Sequence, residues 1–109
     1  MSQIPSVSAT ELPDDAMVVD VREPDEWELG HAPAAVHIPL GDLPARLADL
    51  PDDADTLPVV CRSGGRSGRA VQWLLQQGFD VANLDGGMRA WAAAGKQMVA
   101  DTGREPAVK

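Results

Sequence analysis

These 109 residues predict a single α/β domain with a mainly parallel central sheet flanked by helices. Three observations carry that prediction. Short β-branched apolar runs recur at Met17–Val21, Leu57–Val60 and Val81–Leu84, each with the pattern of a strand buried on both faces. Helical patterns alternate with them. The length fits one domain, because a chain of this size buries roughly two-thirds of its unfolded surface without metal or disulfide staples.

Each element has a local reason. In the first run, Asp20 interrupts the apolar pattern near the end where a loop begins. Pro24 then opens a short polar helix to Leu29, with proline at an early helical position and Asp25, Glu26 and Glu28 near the positive end of the dipole. Gly30 ends it. Val36 to Pro39 supplies a brief extended piece, stopped by its proline. From Gly41 to Leu50, Leu43, Leu47 and Leu50 recur at helical spacing, with Asp42 as N-cap. After the Leu57–Val60 strand comes a helix over Arg66–Gln77, with Ala70, Val71, Leu74 and Leu75 as its apolar stripe and Gly78 as its stop. Val81 to Leu84 forms the next strand, and Gly86-Gly87 turns the chain into a small helix carrying Met88 and Trp91, closed by Gly95. The glycine pair permits a close backbone approach to the segment after Val60, and a tight turn is the simpler account. The domain takes in 1–109. Its core covers about residues 8–98, and 99–109 read as a loosely held tail.

Composition excludes several function classes. A lone cysteine makes no intramolecular disulfide, so a secreted disulfide scaffold is out. No apolar run approaches the roughly 20 residues of a membrane span. Met1 to Leu12 lacks the basic and apolar regions of a signal peptide, so the expected location is cytoplasmic. The formal charge is −8, and it is unevenly placed: residues 1–58 carry thirteen acidic side chains against Arg22 and Arg46 alone. Such a surface repels nucleic acid and anionic lipid, so neither is an expected partner. His31 and His37 read as loop hydrogen-bonding residues, and no metal or cofactor is expected. Glu23, Asp25, Glu26 and Glu28 read as a solvated face. Trp27, Trp73 and Trp91 are too far apart for a stacking platform and read as packing on or near the core.

Chemistry concentrates in Val59-Val60-Cys61-Arg62-Ser63-Gly64-Gly65-Arg66-Ser67, a strand, a glycine-rich turn and a helix start. In an open α/β sheet, ligands sit beyond the carboxyl ends of strands, which is where Cys61 falls. Gly64 and Gly65 permit positive φ, so successive amides can curl around one point, and the free amides of the following helix aim there too. Arg62, Arg66 and Arg69 lie within nine acid-free residues. Amides and guanidinium groups together favour a thiolate without a histidine base, so no catalytic histidine is assigned. A cysteine phosphatase loop needs an arginine six positions after the cysteine, but Ser67 stands there and Arg66 arrives one residue early. The tighter cradle suits a single sulfur atom attached to Cys61.

At this point the chain resembles the single-domain rhodanese-like sulfurtransferase family over about residues 8–98. Asp20-Val21-Arg22-Glu23 with Trp27 and Gly30-His31, then Ile38-Pro39-Leu40, resembles one family segment. Cys61 to Ser67 resembles the active-site loop, and Leu84-Asp85-Gly86-Gly87 with Trp91 and Gly95 resembles the closing segment. The family often has Gly where Ala34 sits and Pro where Gln97 sits. The resemblance implies a rhodanese-like fold and Cys61 as the catalytic nucleophile, converted to a persulfide. Thiosulfate or a similar small donor supplies the sulfur, and cyanide, a thiol or a protein sulfur acceptor removes it. Arg62, Ser63, Gly64, Gly65, Arg66 and Ser67 would bind the substrate and stabilise the persulfide, with Arg62 and Arg66 steering the donor's sulfonate end. Asp20 and Arg22 straddle a strand end and support the neighbouring loops. The alternative is a persulfide carrier or regulatory module that works with a protein partner and turns over small molecules little.

Overall fold

Runs of Val and Leu separated by polar, glycine-punctuated segments form strands that are covered on both faces and joined by helical crossovers. The computed structural model describes residues 4–51 and 55–109. Met1 to Gln3, part of the segment read for a leader, and Asp52 to Ala54, before the third expected strand, lie outside the described residues. In chain order the elements are β1 (Ser6–Ser8), β2 (Val19–Asp20), α1 (Pro24–Leu29), β3 (Val36–His37), β4 (Leu57–Val60), α2 (Gly65–Gln76), β5 (Val81–Asp85) and α3 (Gly87–Ala93). The five strands form one sheet in the order β1-β5-β4-β2-β3. Every pairing is parallel. The expected architecture is the one observed, and α1 and β4 fall on their expected residues.

β4 is central and fully buried, between β2, where Val19 faces Val59, and β5, where Leu57 faces Val81. Burying each Val or Leu side chain contributes about 1.5–3 kcal/mol. One core cluster packs Val19, Val21, Ile38, Val59, Cys61, Val71 and Leu74. The other joins Val18, Val60, Leu84, Met88 and Trp91 on the opposite face of the sheet. Trp91 is fully buried, while Trp73 packs at the edge of the first cluster. Among the described residues, no helix is long and apolar enough to cross a membrane.

Four local expectations change. The sheet has an edge strand, β1, that is too short and polar to show a period; Asn83 N–H donates to the Pro5 carbonyl at its start (2.9 Å). The segment expected as an α-helix over Gly41–Leu50 is instead 3₁₀ from Leu40 to Asp49, kinked at Arg46. Pro44 lacks the N–H that would bond Leu40 and crowds that carbonyl, which is why an α-helix cannot run through it. Asp42 lies inside the segment, donating its N–H to Pro39 (2.8 Å), and is not the cap.

The last segment, expected to hang loosely, straps across α1. His31 and Val99 exchange both backbone hydrogen bonds (2.9 Å each), and Asp101 and Ala107 donate to the Glu28 and Leu29 carbonyls (3.0 and 2.9 Å). Those carbonyls are the unsatisfied acceptors at a helix end, so an irregular strap with no period of its own finds partners there. Gly30 is extended, and a side chain on it would collide with the Ala107 backbone (2.6 Å from a Cβ), so its glycine serves this close approach. The two departures from the family pattern are accommodated. Ala34 sits in a turn closed by Ala35 N–H to Ala32 O (3.1 Å) without a positive φ, and Gln97 uses an N–H that proline lacks, donating to Asp14 (2.9 Å).

Candidate functional site

Cys61 leaves the carboxyl end of β4, the chain reverses through Gly64, and α2 begins at Gly65. Gly64 has φ +111°, a left-handed conformation that a side chain would strain. The turn closes on the sulfur. Gly64 N–H donates to Cys61 Sγ at 3.1 Å and the Ser67 hydroxyl approaches it at 3.3 Å.

A second glycine holds the loop from outside. α3 presents its first amides to the loop: Met88 N–H donates to the Cys61 carbonyl (2.8 Å) and Arg89 N–H to the Arg62 carbonyl (3.0 Å). In a trans peptide the N–H points opposite the C=O, so the amides of Arg62 and Ser63 turn away from α3. A Cβ at Gly87 would lie 2.5 Å from the backbones of Cys61 and Arg62. Of the two readings of Gly86-Gly87, the structure shows the close approach: the pair lets α3 dock on the Cys61 loop.

Burial alone pushes the Cys61 thiol up, and hydrogen bonds from the Ser67 hydroxyl and from the Ser67, Gly64 and Ser63 amides outweigh it, leaving the pKa lowered. Cys61 is 1% exposed, so burial among aliphatic residues and inward-facing donors coexist. Guanidinium charge was expected to share the work of lowering the thiol; the donors that do so are amides and a hydroxyl, and Arg66 acts on Cys61 as a weaker coulombic neighbour.

Arg66 has a partner that the sequence did not disclose. Its two terminal nitrogens bind both oxygens of Glu26 (2.8 and 2.9 Å). Glu26 is 9% exposed, so it is not part of a solvated face. It also accepts from Glu23 N–H (3.1 Å) as the return half of a capping box, the one local signal that could have marked it. The Arg66 hydrogen bonds hold its carboxyl below the usual glutamate range against the opposing effect of burial. Glu23, Asp25, Glu26, Arg62, Arg66 and Lys109 line a cleft of about 330 Å³. A concavity of about 390 Å³ lies around Thr56, Leu57 and Pro58, at the amino end of β4 and away from Cys61. Arg62, Ser63 and Gly65 are exposed rim residues, whereas Ser67 is fully buried.

Asn83, on β5, was also missed, since nothing in the sequence brings it near position 61. Its Nδ2 donates to the Gly64 carbonyl (3.2 Å) and its Oδ1 accepts from the Ser67 hydroxyl (2.5 Å).

Asp20 and Arg22 form a separate, wholly buried unit. Arg22 Nε and Nη2 donate to the Asp20 carboxylate (2.7–3.1 Å), and Nη2 also reaches the Gly30 carbonyl (2.7 Å). Arg22 Nη1 is the one buried side-chain polar atom without a partner among the described residues. Nearby, His31 and His37 hydrogen-bond the Trp27 and Arg22 carbonyls (2.8 Å each). Both rings stack on Trp27, with centroids at 3.5 and 4.7 Å. Trp27, half-buried, thus stacks on histidines.

Proteins similar to this chain carry sulfur-transfer and rhodanese names. A sulfurtransferase from Allochromatium vinosum is 42% identical over 91 residues, 83% of this chain and 84% of its own. A Bacillus subtilis relative bearing the name of a sulfur carrier protein is 43% identical over 75 residues, 68% of this chain and 40% of its own. The crystal structure of a rhodanese-related protein from Thermoplasma volcanium superposes with a TM-score of 0.78 at 32% identity, covering 87% of this chain and 97% of that one. Because the family profile of the rhodanese-like domain also matches residues 8–94, the cysteine cradle and the parallel sheet that carries it belong to a member of the rhodanese family.

Proposed function

We propose that the protein transfers a sulfane sulfur from thiosulfate or a similar donor to a thiophilic acceptor through a persulfide on Cys61. The observation that supports this best is the convergence of Gly64 N–H and the Ser67 hydroxyl on one sulfur whose pKa is lowered. In the first half-reaction a thiolate lone pair attacks the donor's outer sulfur. A bond forms from Sγ to that sulfur, the donor's S–S bond breaks, and sulfite departs with the electron pair. The persulfide's outer sulfur is anionic, and the amides of residues 62–67 stabilise it as an oxyanion hole stabilises oxygen. In the second half-reaction cyanide or a thiolate attacks that sulfur, and the electron pair of the broken S–S bond returns to Sγ.

Arg62, exposed at the rim, steers the donor's sulfonate. Arg66 contributes less than a free arginine would, because Glu26 occupies both of its terminal nitrogens. Asp20 and Arg22 act as a brace. A six-residue cradle around a residue of 1% exposure admits a slim terminal sulfur more readily than an esterified phosphate. Incubation with thiosulfate and cyanide, followed by thiocyanate release and intact-protein mass, tests the reading. We expect thiocyanate and a gain of one sulfur atom on Cys61; the absence of both with every donor tried would remove it. Ready persulfide formation with negligible turnover on cyanide or small thiols would favour the second reading, a sulfur carrier serving a protein acceptor, which the sulfur-carrier name of one relative supports.

A further inference from the structure

We propose that Asn83 is a positioning residue that shares the single Ser67 hydroxyl proton with Cys61 Sγ while tethering the Gly64 carbonyl. The inference rests on reading Cys61 as the reactive thiol. Ser67 Oγ lies 2.5 Å from Asn83 Oδ1 and 3.3 Å from Sγ, and a hydroxyl has one proton to give. The Asn83 amide cannot turn its donor end to Ser67 without losing the bond from Nδ2 to the Gly64 carbonyl (3.2 Å) and setting two oxygens against each other. Oδ1 therefore faces Ser67 and can only accept.

The proton's place then follows the charge on sulfur. A thiolate draws it, because hydrogen bonds to an ionised acceptor are about twice as strong as neutral ones. A protonated Sγ instead donates to Ser67 Oγ, whose own O–H then donates to Asn83 Oδ1. A sulfur carrying a second sulfur has lost its negative charge at Sγ, and the Ser67 proton again goes to Asn83. Asn83 is thus the alternative partner that keeps Ser67 satisfied whenever Sγ is not an anion. It also opposes full commitment of the hydroxyl to the thiolate.

The charged groups packed around this chain of atoms are few. α2 brings Arg66, with Glu26 of α1 bound to it; the loop brings the exposed Arg62; β2 brings the internally bonded Asp20–Arg22 pair; the turn from β5 into α3 brings exposed Asp85 and Arg89. None of them hydrogen-bonds Sγ or Ser67 among the described residues.

The pH profile of iodoacetamide alkylation tests the proposal. It reads Cys61 alone, because the chain has one cysteine, and it needs no sulfur donor. Ser67→Ala should move the midpoint up by about 0.5 pH unit in the native background. In the Asn83→Leu background, where Ser67 has only sulfur to serve, the same substitution should move it by about 1 unit or more. Asn83→Asp keeps an acceptor and makes it stronger, so there the Ser67→Ala shift should shrink towards zero. Should Asn83→Leu fail to fold, the Asn83→Asp pair decides. A Ser67→Ala shift that is equal in all backgrounds that fold would overturn proton sharing. Persulfide mass measurements fail or succeed independently of these midpoints, so the two readings are distinguished.

Discussion

At the carboxyl end of β2, Asp20 and Arg22 are both 0% exposed and form an ion pair, whereas at the end of the neighbouring β4 Cys61 is 1% exposed and receives hydrogen bonds with no counter-ion bonded to it among the described residues. The two ends occupy equivalent places in one parallel sheet. In the first, a carboxylate and a guanidinium a residue apart close on themselves and on the Gly30 carbonyl. In the second, glycine turns and the docking of α3 aim amides at a single atom. The contrast teaches that burial does not decide reactivity. A buried charge matched by a fixed partner becomes a brace; a buried sulfur matched only by donors is held ready to carry charge.

The substitution with the largest expected effect is at the Cys61 end. Cys61→Ser is nearly isosteric, yet a hydroxyl does not ionise at neutral pH. Thiocyanate formation should fall to the uncatalysed background while circular dichroism and thermal midpoint stay close to native. Retained turnover would erase the distinction between the two ends.

Next comes the brace. Asp20→Ala leaves the Arg22 charge buried and uncompensated, which should cost about 3–5 kcal/mol in urea unfolding. Where folded protein remains, the Cys61 alkylation midpoint should hardly move. A large shift in that midpoint would mean that the brace belongs to the reactive site.

A smaller effect is expected at Glu26, which joins α1 to the loop through Arg66. Its folded pKa is lowered, so the pair's stabilisation is fully present above the ordinary glutamate range and is lost as pH falls through the folded value. Glu26→Gln should therefore remove part of the acid-side loss of stability, worth about 1 kcal/mol or less for a partly solvated pair. Denaturant titrations between mildly acidic and neutral pH read this; an unchanged slope would show that Glu26 contributes nothing. The same variant frees Arg66, and the KM for thiosulfate should fall modestly.

The smallest effect concerns ionic strength. Arg62 is exposed, so added salt should weaken capture of an anionic donor while leaving the Cys61 alkylation midpoint almost unchanged, because the hydrogen bonds that set that midpoint are short-range and buried. Steady-state kinetics over a salt series, compared with alkylation, separates the two.

What could be read before any coordinates was whatever depends on neighbours in the chain. Val59-Val60 before Cys61 and a glycine pair after it declare a strand, a turn and a helix start, and an arginine one position early separates this loop from the phosphatase spacing. Pro24 marks the start of α1 for the same reason, since a missing N–H is tolerated in a first turn. The 3₁₀ segment departs from the helix that the leucine spacing predicts because of Pro44, whose effect is also local. The β1 strand and the C-terminal strap lay beyond such reasoning, because each is held by a partner distant in sequence: β5 for the one, α1 for the other.

Local rules, acting over a few residues, sufficed to indicate the parallel sheet, the cysteine at the end of β4 and the glycine turn that follows it. Only the folded chain decided that Glu26 would bind Arg66 from forty positions away and that Asn83 would reach Ser67 from sixteen. Only there, too, do the first amides of α3 take up the carbonyls of Cys61 and Arg62. A strand end can be recognised from its own apolar run. Which side chain meets it from the next strand depends on register and crossover, and these are settled by packing the whole core.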